Sequence, residues 1–331
     1  MKGAGVVRVH PLRAAPVWRT ALIGRLTLWS FTALAIASVG ALSTGALWLV
    51  IGAGSPAWLP VAHRALLAWM LGAGGVLFLN LMLCQRFLVP DRDFWEDPLA
   101  AARVHVALTA FNDEMAIAQA VREFKRVPEI HRLIVVDNNS SDGTARAALQ
   151  AGADAVVVET QPGYGSCCMR ALAEASQDAD VIVLCEGDCT FSGADVRKLL
   201  SYLENSDLVL GTRATQELRE RGPQMDWLIN PANQMMAKLV QLRFWGTRLT
   251  DVGCTYRALR ADAYRRLAPH LRVRGNHFSP HMFIEALNLD MRVIEVPVTF
   301  RRRVGQSKGV GSNKLRAARV ALRMLALVYR A

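Results

Sequence analysis

The sequence predicts an α/β protein in which a mostly parallel, doubly wound sheet follows two apolar helices long enough to cross a membrane. Three observations carry this. Short β-branched runs recur from about residue 103 onward, with helical patterns between them. Two N-terminal stretches, Leu26 to His63 and Ala65 to Gln85, contain no Asp, Glu, Lys or Arg. The β-branched runs end in polar residues, at the strand ends where open α/β sheets bind ligands.

The chain has 331 residues, 52% of them hydrophobic, and a net charge of +11, so it exceeds one average domain and its apolar excess needs a location. The two charge-free stretches supply it. Each provides the roughly 20 apolar residues that span a hydrocarbon core, near Leu26–Val50 and Ala65–Cys84, within a hairpin over residues 26–85. A cleaved secretory signal is the rival for the first span, since Arg8, Arg13, Arg19 and Arg25 precede it and "ALSTGA" has small residues. Cleavage would leave a lone second span, and the run exceeds a signal's apolar region. Basic residues crowd residues 1–25 and follow the second span at Arg86 and Arg92, while the connection offers only Arg64. By the positive-inside bias both ends face the cytoplasm. Residues 86–102, with "VPDRDFWEDP", read as a hinge.

Cys84, Cys167, Cys168, Cys185, Cys189 and Cys254 form no CxxC pair and have no nearby His, which argues against zinc and for buried thiols in a reducing compartment. The strand-like runs are residues 104–111, 132–137, 154–159, 181–186 and 207–212. After the second comes "DNNSSDGT", where Ser141 or Asp142 suits a helix cap. Capping does not explain Asp137 and Asn138 at the strand tip, which could bond a base edge or a ribose. A dinucleotide site is disfavoured, because "NDE" rather than a Gly-rich turn follows the first run and "GYGSCC" has too few glycines. The fourth run, "VIVLCEGDCTF", releases Glu186 and Asp188 around Gly187. Carboxylates so spaced either form a solvated turn or converge on one hard divalent cation.

Taken in order, "ALTAFNDE", "IVVDNNSSDGT", "GYGSCCMRALAEA", "CEGD", "LVLGTR", "TDVGCTYRALR" and "VIEVPVTFRRRVGQSK" resemble the family 2 glycosyltransferases of the GT-A fold. They look most like the branch containing dolichyl-phosphate mannose synthase and bacterial polyprenyl-phosphate glycosyltransferases. The resemblance implies a catalytic domain over residues 103–308. It implies that Thr109, Phe111 and Asp113 hold the nucleotide base, with Asn138 where an aspartate usually contacts it, next to Asp137 of the strand tip. By the same resemblance Glu186 and Asp188 stand where an acidic pair binds Mg²⁺ or Mn²⁺, with Thr190 as a further contact. Arg213 resembles a phosphate-binding arginine, Arg302 and Lys308 match a basic acceptor loop, and His281 lies about where a lysine can contact phosphate. Glu186, Asn138 and Thr109 depart from the family's usual aspartate, acid and proline, which bears on the identity of nucleotide and sugar.

The implied reaction moves a sugar from a nucleotide-diphosphate donor to a lipid phosphate, most simply a polyprenyl phosphate, releasing the nucleotide. The acceptor oxygen is already anionic and needs no strong base. A hydroxyl acceptor would need one, and His277, His281 and Glu285 are the residues available, although a His at a helix start is commonly a cap or a packed ring. No acidic residue follows Glu295, and in residues 309–331 Arg316, Arg319, Arg323 and Arg330 recur at helical spacing against Leu315, Leu322, Leu325 and Tyr329. Such a basic amphipathic helix suits an anionic membrane surface, and lipid rather than nucleic acid then accounts for the net charge. The stretch 223–249, Met-rich with Arg243 and Trp245, suits either the membrane interface or a packed core helix. The expected protein is an integral membrane transferase with its catalytic domain in the cytoplasm. Its alternatives are a transferase acting on a hydroxyl of a lipid or glycan, and a catalytically silent nucleotide-sugar binder that recruits partners.

Overall fold

The computed structural model describes residues 17–88, 96–99, 101–220, 229–244, 247–305 and 314–331. The chain divides into two compact units, one gathering the N-terminal helices with residues 241–246 and the other running over 94–240 and 247–331.

In the first unit, α1 (Val17–Ile51) and α2 (Trp58–Leu88) form an antiparallel pair of long helices. Within them Leu22–Ile51 and Trp58–Asn80, 30 and 23 residues long, are apolar enough to cross a membrane. The second helix starts at Trp58 rather than near Ala65, because Pro60 falls in the first turn, where no N–H is needed, and one Arg64 does not interrupt a helix. Trp29, Ile36, Leu42, Leu49, Leu71 and Phe78 are exposed, the reverse of a helix buried in a soluble core. Thr27, Thr32, Ser38 and Thr44 donate their hydroxyls to the carbonyls of Ile23, Leu28, Leu34 and Gly40 at 2.8–2.9 Å. Polar groups satisfied within their own helix are what a lipid environment requires. Gly40 and Gly45 let the helices approach at Leu66 and His63, and Thr44 Oγ1 lies 3.0 Å from His63 Nδ1.

The second unit contains a seven-stranded sheet: β1 (Val104–Ala110), β2 (Ile130–Asp137), β3 (Ala155–Val158), β4 (Val181–Glu186), β5 (Leu208–Thr212), β6 (Arg257–Arg260) and β7 (Val293–Pro297). Its order is β3-β2-β1-β4-β6-β5-β7, parallel except for β6, which runs antiparallel between β4 and β5. The chain works outward from β1 to β3 and then returns to β4, so the strand order reverses at the β1/β4 crevice. That is where ligands of such sheets bind. The first five strands coincide with the β-branched runs. The other two do not. β6 reads "RALR" and buries both arginines by bonding carbonyls: Arg257 to Cys254 and Ser279, Arg260 to Leu203 and Ser206.

β1 is buried along its whole length, which is why it is a continuous apolar run rather than an alternating one. On one face α3 (Glu114–Lys125) presents Ala116, Ile117, Ala120, Val121 and Phe124 as its buried stripe. The remaining helices are α4 (Thr144–Gln150), α5 (Tyr164–Ala175), α6 (Val196–Leu203), α7 (Ile229–Arg243), α8 (Ala261–Leu267), α9 (Phe278–Asn288) and α10 (Lys314–Arg330). α10 packs on α9, burying Val328 and leaving Arg319, Leu322 and Arg323 exposed. In α7, Met236 is buried and Met235 exposed; Trp245 lies outside the described residues. The described end of the expected hinge is fastened to the sheet unit, since Asp97 N and Leu99 N donate to Glu204 and Arg260 Nη1 donates to Asp97 at 2.7 Å. Its residues 89–95 and 100 lie outside the described residues.

At the start of α5, Gly165 N donates to the Arg274 carbonyl at 2.8 Å, and a Cβ on Gly165 would stand 2.2 Å from the Val273 oxygen. Backbone cannot swing aside as a side chain can. Gly165→Ala is therefore expected to cost about 2 kcal/mol and to lower the thermal midpoint of the detergent-solubilised chain by about 5 °C. An unchanged midpoint would contradict this packing.

Candidate active site

Three strands of the crevice turn sharply at their carboxyl ends, through left-handed residues Asn112 (φ 49°), Asn139 (φ 60°) and Cys189 (φ 65°). Asn tolerates this region, whereas Cys189 is strained there and is held with its Sγ 3.2 Å from the Ala116 carbonyl. β1 lies between the other two, with Ala110 opposite Asp137 and Thr109 opposite Glu186, so all three turns open on one edge. Gly187 lets the β4 turn lie on α3: a Cβ there would meet Ile117 Cδ1 at 2.4 Å.

The β4 turn carries the acids. Glu186 Oε1 accepts hydrogen bonds from Thr255 Oγ1 at 2.7 Å and Tyr164 OH at 3.3 Å, and the two hydroxyls also touch each other. Asp188 Oδ1 accepts from Thr190 N at 3.0 Å and Thr190 Oγ1 at 2.5 Å. Its other oxygen faces Arg303 Nη1 at 3.2 Å, while Arg303 Nη2 donates to Asp113 Oδ1 at 2.8 Å. Asp113 Oδ2 in turn accepts from Phe111 N. Burial, and then the Asp188 charge, push the Glu186 acid up to about 7, against the pull of Thr255, Arg213 and Arg303. Burial opposes the Arg303 charge, but Asp188 and Asp113 outweigh it and hold the guanidinium protonated.

Arg303 arrives on a segment that runs antiparallel beside the turn. Phe300 bridges Phe191, and Arg301 N donates to Thr190 O at 2.7 Å. Arg301 Nη1 pairs with Glu123 Oε2 at 2.8 Å, and Thr299 N donates to Asp195. At the end of β5, Arg213 is gripped by Asp251 through Nε at 2.7 Å and Nη2 at 2.9 Å, and lies 5.3 Å from the Phe300 ring centre. Asn233 Nδ2 and Gly253 N also donate to Asp251. Burial would raise the Asp251 acid, yet Arg213 and these donors bring it down to about 2.

The structure thus gathers Asp113, Glu186, Asp188 and Thr190 at one crevice, with Arg213 close enough to bias Glu186. Other expected residues are occupied elsewhere. Thr109 is buried and its hydroxyl leans on the Cys185 carbonyl at 3.4 Å. Asp137 Oδ1 accepts from Ser140 N at 3.3 Å and from the Ser140 hydroxyl. Asn138 spends its amide on the loop after β3, donating to the Glu159 and Gln161 carbonyls and accepting from Gly163 N. His281 is buried, with Nε2 3.1 Å from Arg272 N and 3.1 Å from the His270 carbonyl and Nδ1 3.6 Å from Glu285. Burial lowers its proton affinity, and that of His277. Phe111 is exposed at the β1 tip, and Arg302 is exposed with its N–H on Glu220. Lys308 lies outside the described residues. The first-turn amide of α4 is met by Asp142 rather than Ser141, whose N–H goes to Asn112. The sequence reading passed over Arg303, Thr255, Tyr164 and Asp251, although each lies inside a motif it quoted.

Among the described residues no group of three or more His, Cys, Asp or Glu is gathered that could hold a metal. The oxygens of Glu186 and Asp188 nevertheless fit a hard divalent ion that takes its other ligands from phosphate and water.

The profile of Glycosyl transferase family 2 matches residues 105–268, which take in β1 from its second residue, β2, β4 and the carboxylate turn. The chain belongs to glycosyl transferase family 2. Over 222 residues this family 2 chain is 26% identical to the undecaprenyl-phosphate mannosyltransferase of Micrococcus luteus, spanning 63% of the present chain and 88% of that protein. An uncharacterized glycosyltransferase of Mycobacterium tuberculosis is 28% identical, over 68% of this chain and 96% of its own. The low-salt glycan biosynthesis hexosyltransferase Agl6 of Haloferax volcanii is 26% identical over 62% of this chain, which spans about half (50%) of Agl6. Glucosyl-3-phosphoglycerate synthase of M. tuberculosis, solved with Mn²⁺, UDP and phosphoglyceric acid, superposes with a TM-score of 0.55 at 18% identity, over 72% of this chain and 84% of that one. That likeness shows the GT-A fold.

Removing one partner of a buried ion pair strands the other. Asp251→Ala is expected to cost about 3 kcal/mol in denaturant unfolding. The sign of the pH dependence follows from the lowered acid: Asp251 stabilises the wild type above about pH 4, and this is lost as pH falls through about 2. An Asp251→Ala chain with wild-type stability at neutral pH would refute the pairing.

Proposed function

We propose that this family 2 glycosyltransferase is membrane-anchored and moves a sugar, with inversion, from a nucleotide-diphosphate sugar to a polyprenyl phosphate on the cytoplasmic face. The carrying observation is the crevice where Asp113, Glu186 and Asp188 meet the basic segment 301–303. An acidic wall facing a basic one suits a donor diphosphate bound with a cation and an anionic acceptor. The undecaprenyl-phosphate transferases among the relatives support this acceptor class. The two apolar helices with lipid-compatible hydroxyls, and the exposed Arg319 and Arg323 of α10, support anchoring and contact with an anionic leaflet.

In this reading Glu186 and Asp188, with Thr190 fixing the Asp188 carboxylate, would hold Mg²⁺ or Mn²⁺. The bound ion supplies charge neutralisation for the departing diphosphate. Arg213, locked by Asp251, offers a fixed positive charge to a phosphate oxygen. Phe111, exposed at the β1 tip, offers a surface for the base. Arg302 and Lys308 draw the acceptor phosphate, whose oxygen attacks the anomeric carbon from the side opposite the leaving group. No base is needed, which agrees with His281 being turned to the 270–272 backbone.

The test incubates the full chain in nanodiscs with undecaprenyl phosphate, a panel of nucleotide sugars and Mg²⁺ or Mn²⁺. A lipid mass gain of one sugar is expected, reduced about 100-fold or more by Asp188→Asn. Modification of hydroxyl acceptors instead, with undecaprenyl phosphate untouched, would overturn the assignment. Because Glu186 must shed its proton to bind a cation, Mn²⁺ affinity is expected to rise with pH by up to about tenfold per unit and to level off above about 7. Glu186→Gln should flatten that profile, and a wild-type affinity independent of pH between 5 and 8 would remove Glu186 from the site.

A further inference from the structure

We propose that Arg303 is a positioning residue that serves as a built-in counter-cation: in the donor-free chain its guanidinium clamps Asp188 to Asp113 across the β1/β4 crevice, and it must leave Asp188 before a divalent ion and a diphosphate can bind. The inference rests on the reading of that crevice as the donor site. Its geometry is a bridge: Nη1 stands 3.2 Å from Asp188 Oδ2 and Nη2 2.8 Å from Asp113 Oδ1, with all three side chains largely buried at 17%, 3% and 7% exposure. A guanidinium and a divalent ion both need the same Asp188 oxygen, because Oδ1 is engaged by Thr190. A divalent ion there would face the full guanidinium charge at close range, so the two compete.

Two further observations point to a second pose. Arg303 Nε is buried and has no hydrogen-bond partner among the described residues, so the clamp leaves one charged donor unmet. A diphosphate oxygen in the crevice would supply that acceptor once the guanidinium turns. The backbone beside it is fixed independently, by Arg301 N on Thr190 O and Val304 N on Asp188 O at 3.3 Å. The side chain can therefore rotate while the segment stays on the turn. Arg303 would then pass from neutralising protein carboxylates to neutralising the donor, so that the crevice is never left with two unshielded acids.

The experiment titrates the full-length chain in detergent with Mn²⁺ and no nucleotide, following free Mn²⁺ by electron paramagnetic resonance. Arg303→Gln is expected to bind Mn²⁺ about tenfold more tightly than wild type. Arg303→Lys, whose single ammonium cannot span both carboxylates, is expected to fall between them. Adding UDP should narrow the gap, because the displaced guanidinium gains a phosphate partner only in the wild type. Equal or weaker Mn²⁺ affinity in Arg303→Gln at an unchanged thermal midpoint would overturn the clamp. So would unfolding of Arg303→Gln together with wild-type affinity in Arg303→Lys, which marks a purely structural ion pair. A tightened Mn²⁺ affinity without sugar transfer by the wild type sinks the transferase reading alone. Transfer with no affinity change sinks the clamp alone.

Discussion

Two carboxylates two residues apart at the end of a buried strand repel each other through a poorly screening interior, and the surroundings of Glu186 and Asp188 are built to contain that repulsion. Thr190 turns its hydroxyl and its amide onto Asp188, Thr255 and Tyr164 turn their hydroxyls onto Glu186, and Arg303 brings a full positive charge. These contacts come from four separate parts of the chain. The antiparallel insertion of β6 delivers Thr255, the start of α5 delivers Tyr164, and the stretch after β7 delivers Arg303. The sheet topology is thus arranged around a charge problem at one turn.

The same turn explains why the basic segment lies where it does. Residues 299–303 are fixed by Asp195, Glu123 and Glu220 as well as by backbone pairing along 190–191. Individually, partly exposed ion pairs contribute little. Together with Phe191, Phe300 and Tyr256, whose tilted rings meet with centroids 5.3–5.5 Å apart, they seat the segment on an apolar base that holds its arginines over the crevice.

Much of this was legible in the sequence, and the limits have physical causes. Strands buried on both faces appear as unbroken apolar runs, so β1, β4, β5 and the inner half of β2 could be found by eye with the polar tips that follow them, while the half-exposed edge strand β3 showed only through its valines. β6 could not, because its arginines are buried by bonding carbonyls, and a charged residue ordinarily signals solvent. Asp188 and Glu186 stood out by spacing. Arg303 did not, since one of three consecutive arginines is distinguished only by which carboxylates the fold sets opposite it. His281 drew attention as a titratable group near a helix start, yet its ring is packed against the backbone of 270–272. The two N-terminal helices were readable from charge alone, while the earlier start of α2 depended on Pro60 being harmless in a first turn.

Asn138 ties the loop after β3 to the tip of β2. Its NH₂ group serves the Glu159 and Gln161 carbonyls while its oxygen serves Gly163, a set of bonds that an acid at the same place could not make because it has no hydrogen to give. An isosteric change to aspartate would set a negative charge against two carbonyl oxygens and unfasten the approach to α5. The path from β3 into α5 is thus keyed to an amide, and a charged side chain here would require the 159–163 loop to be rebuilt.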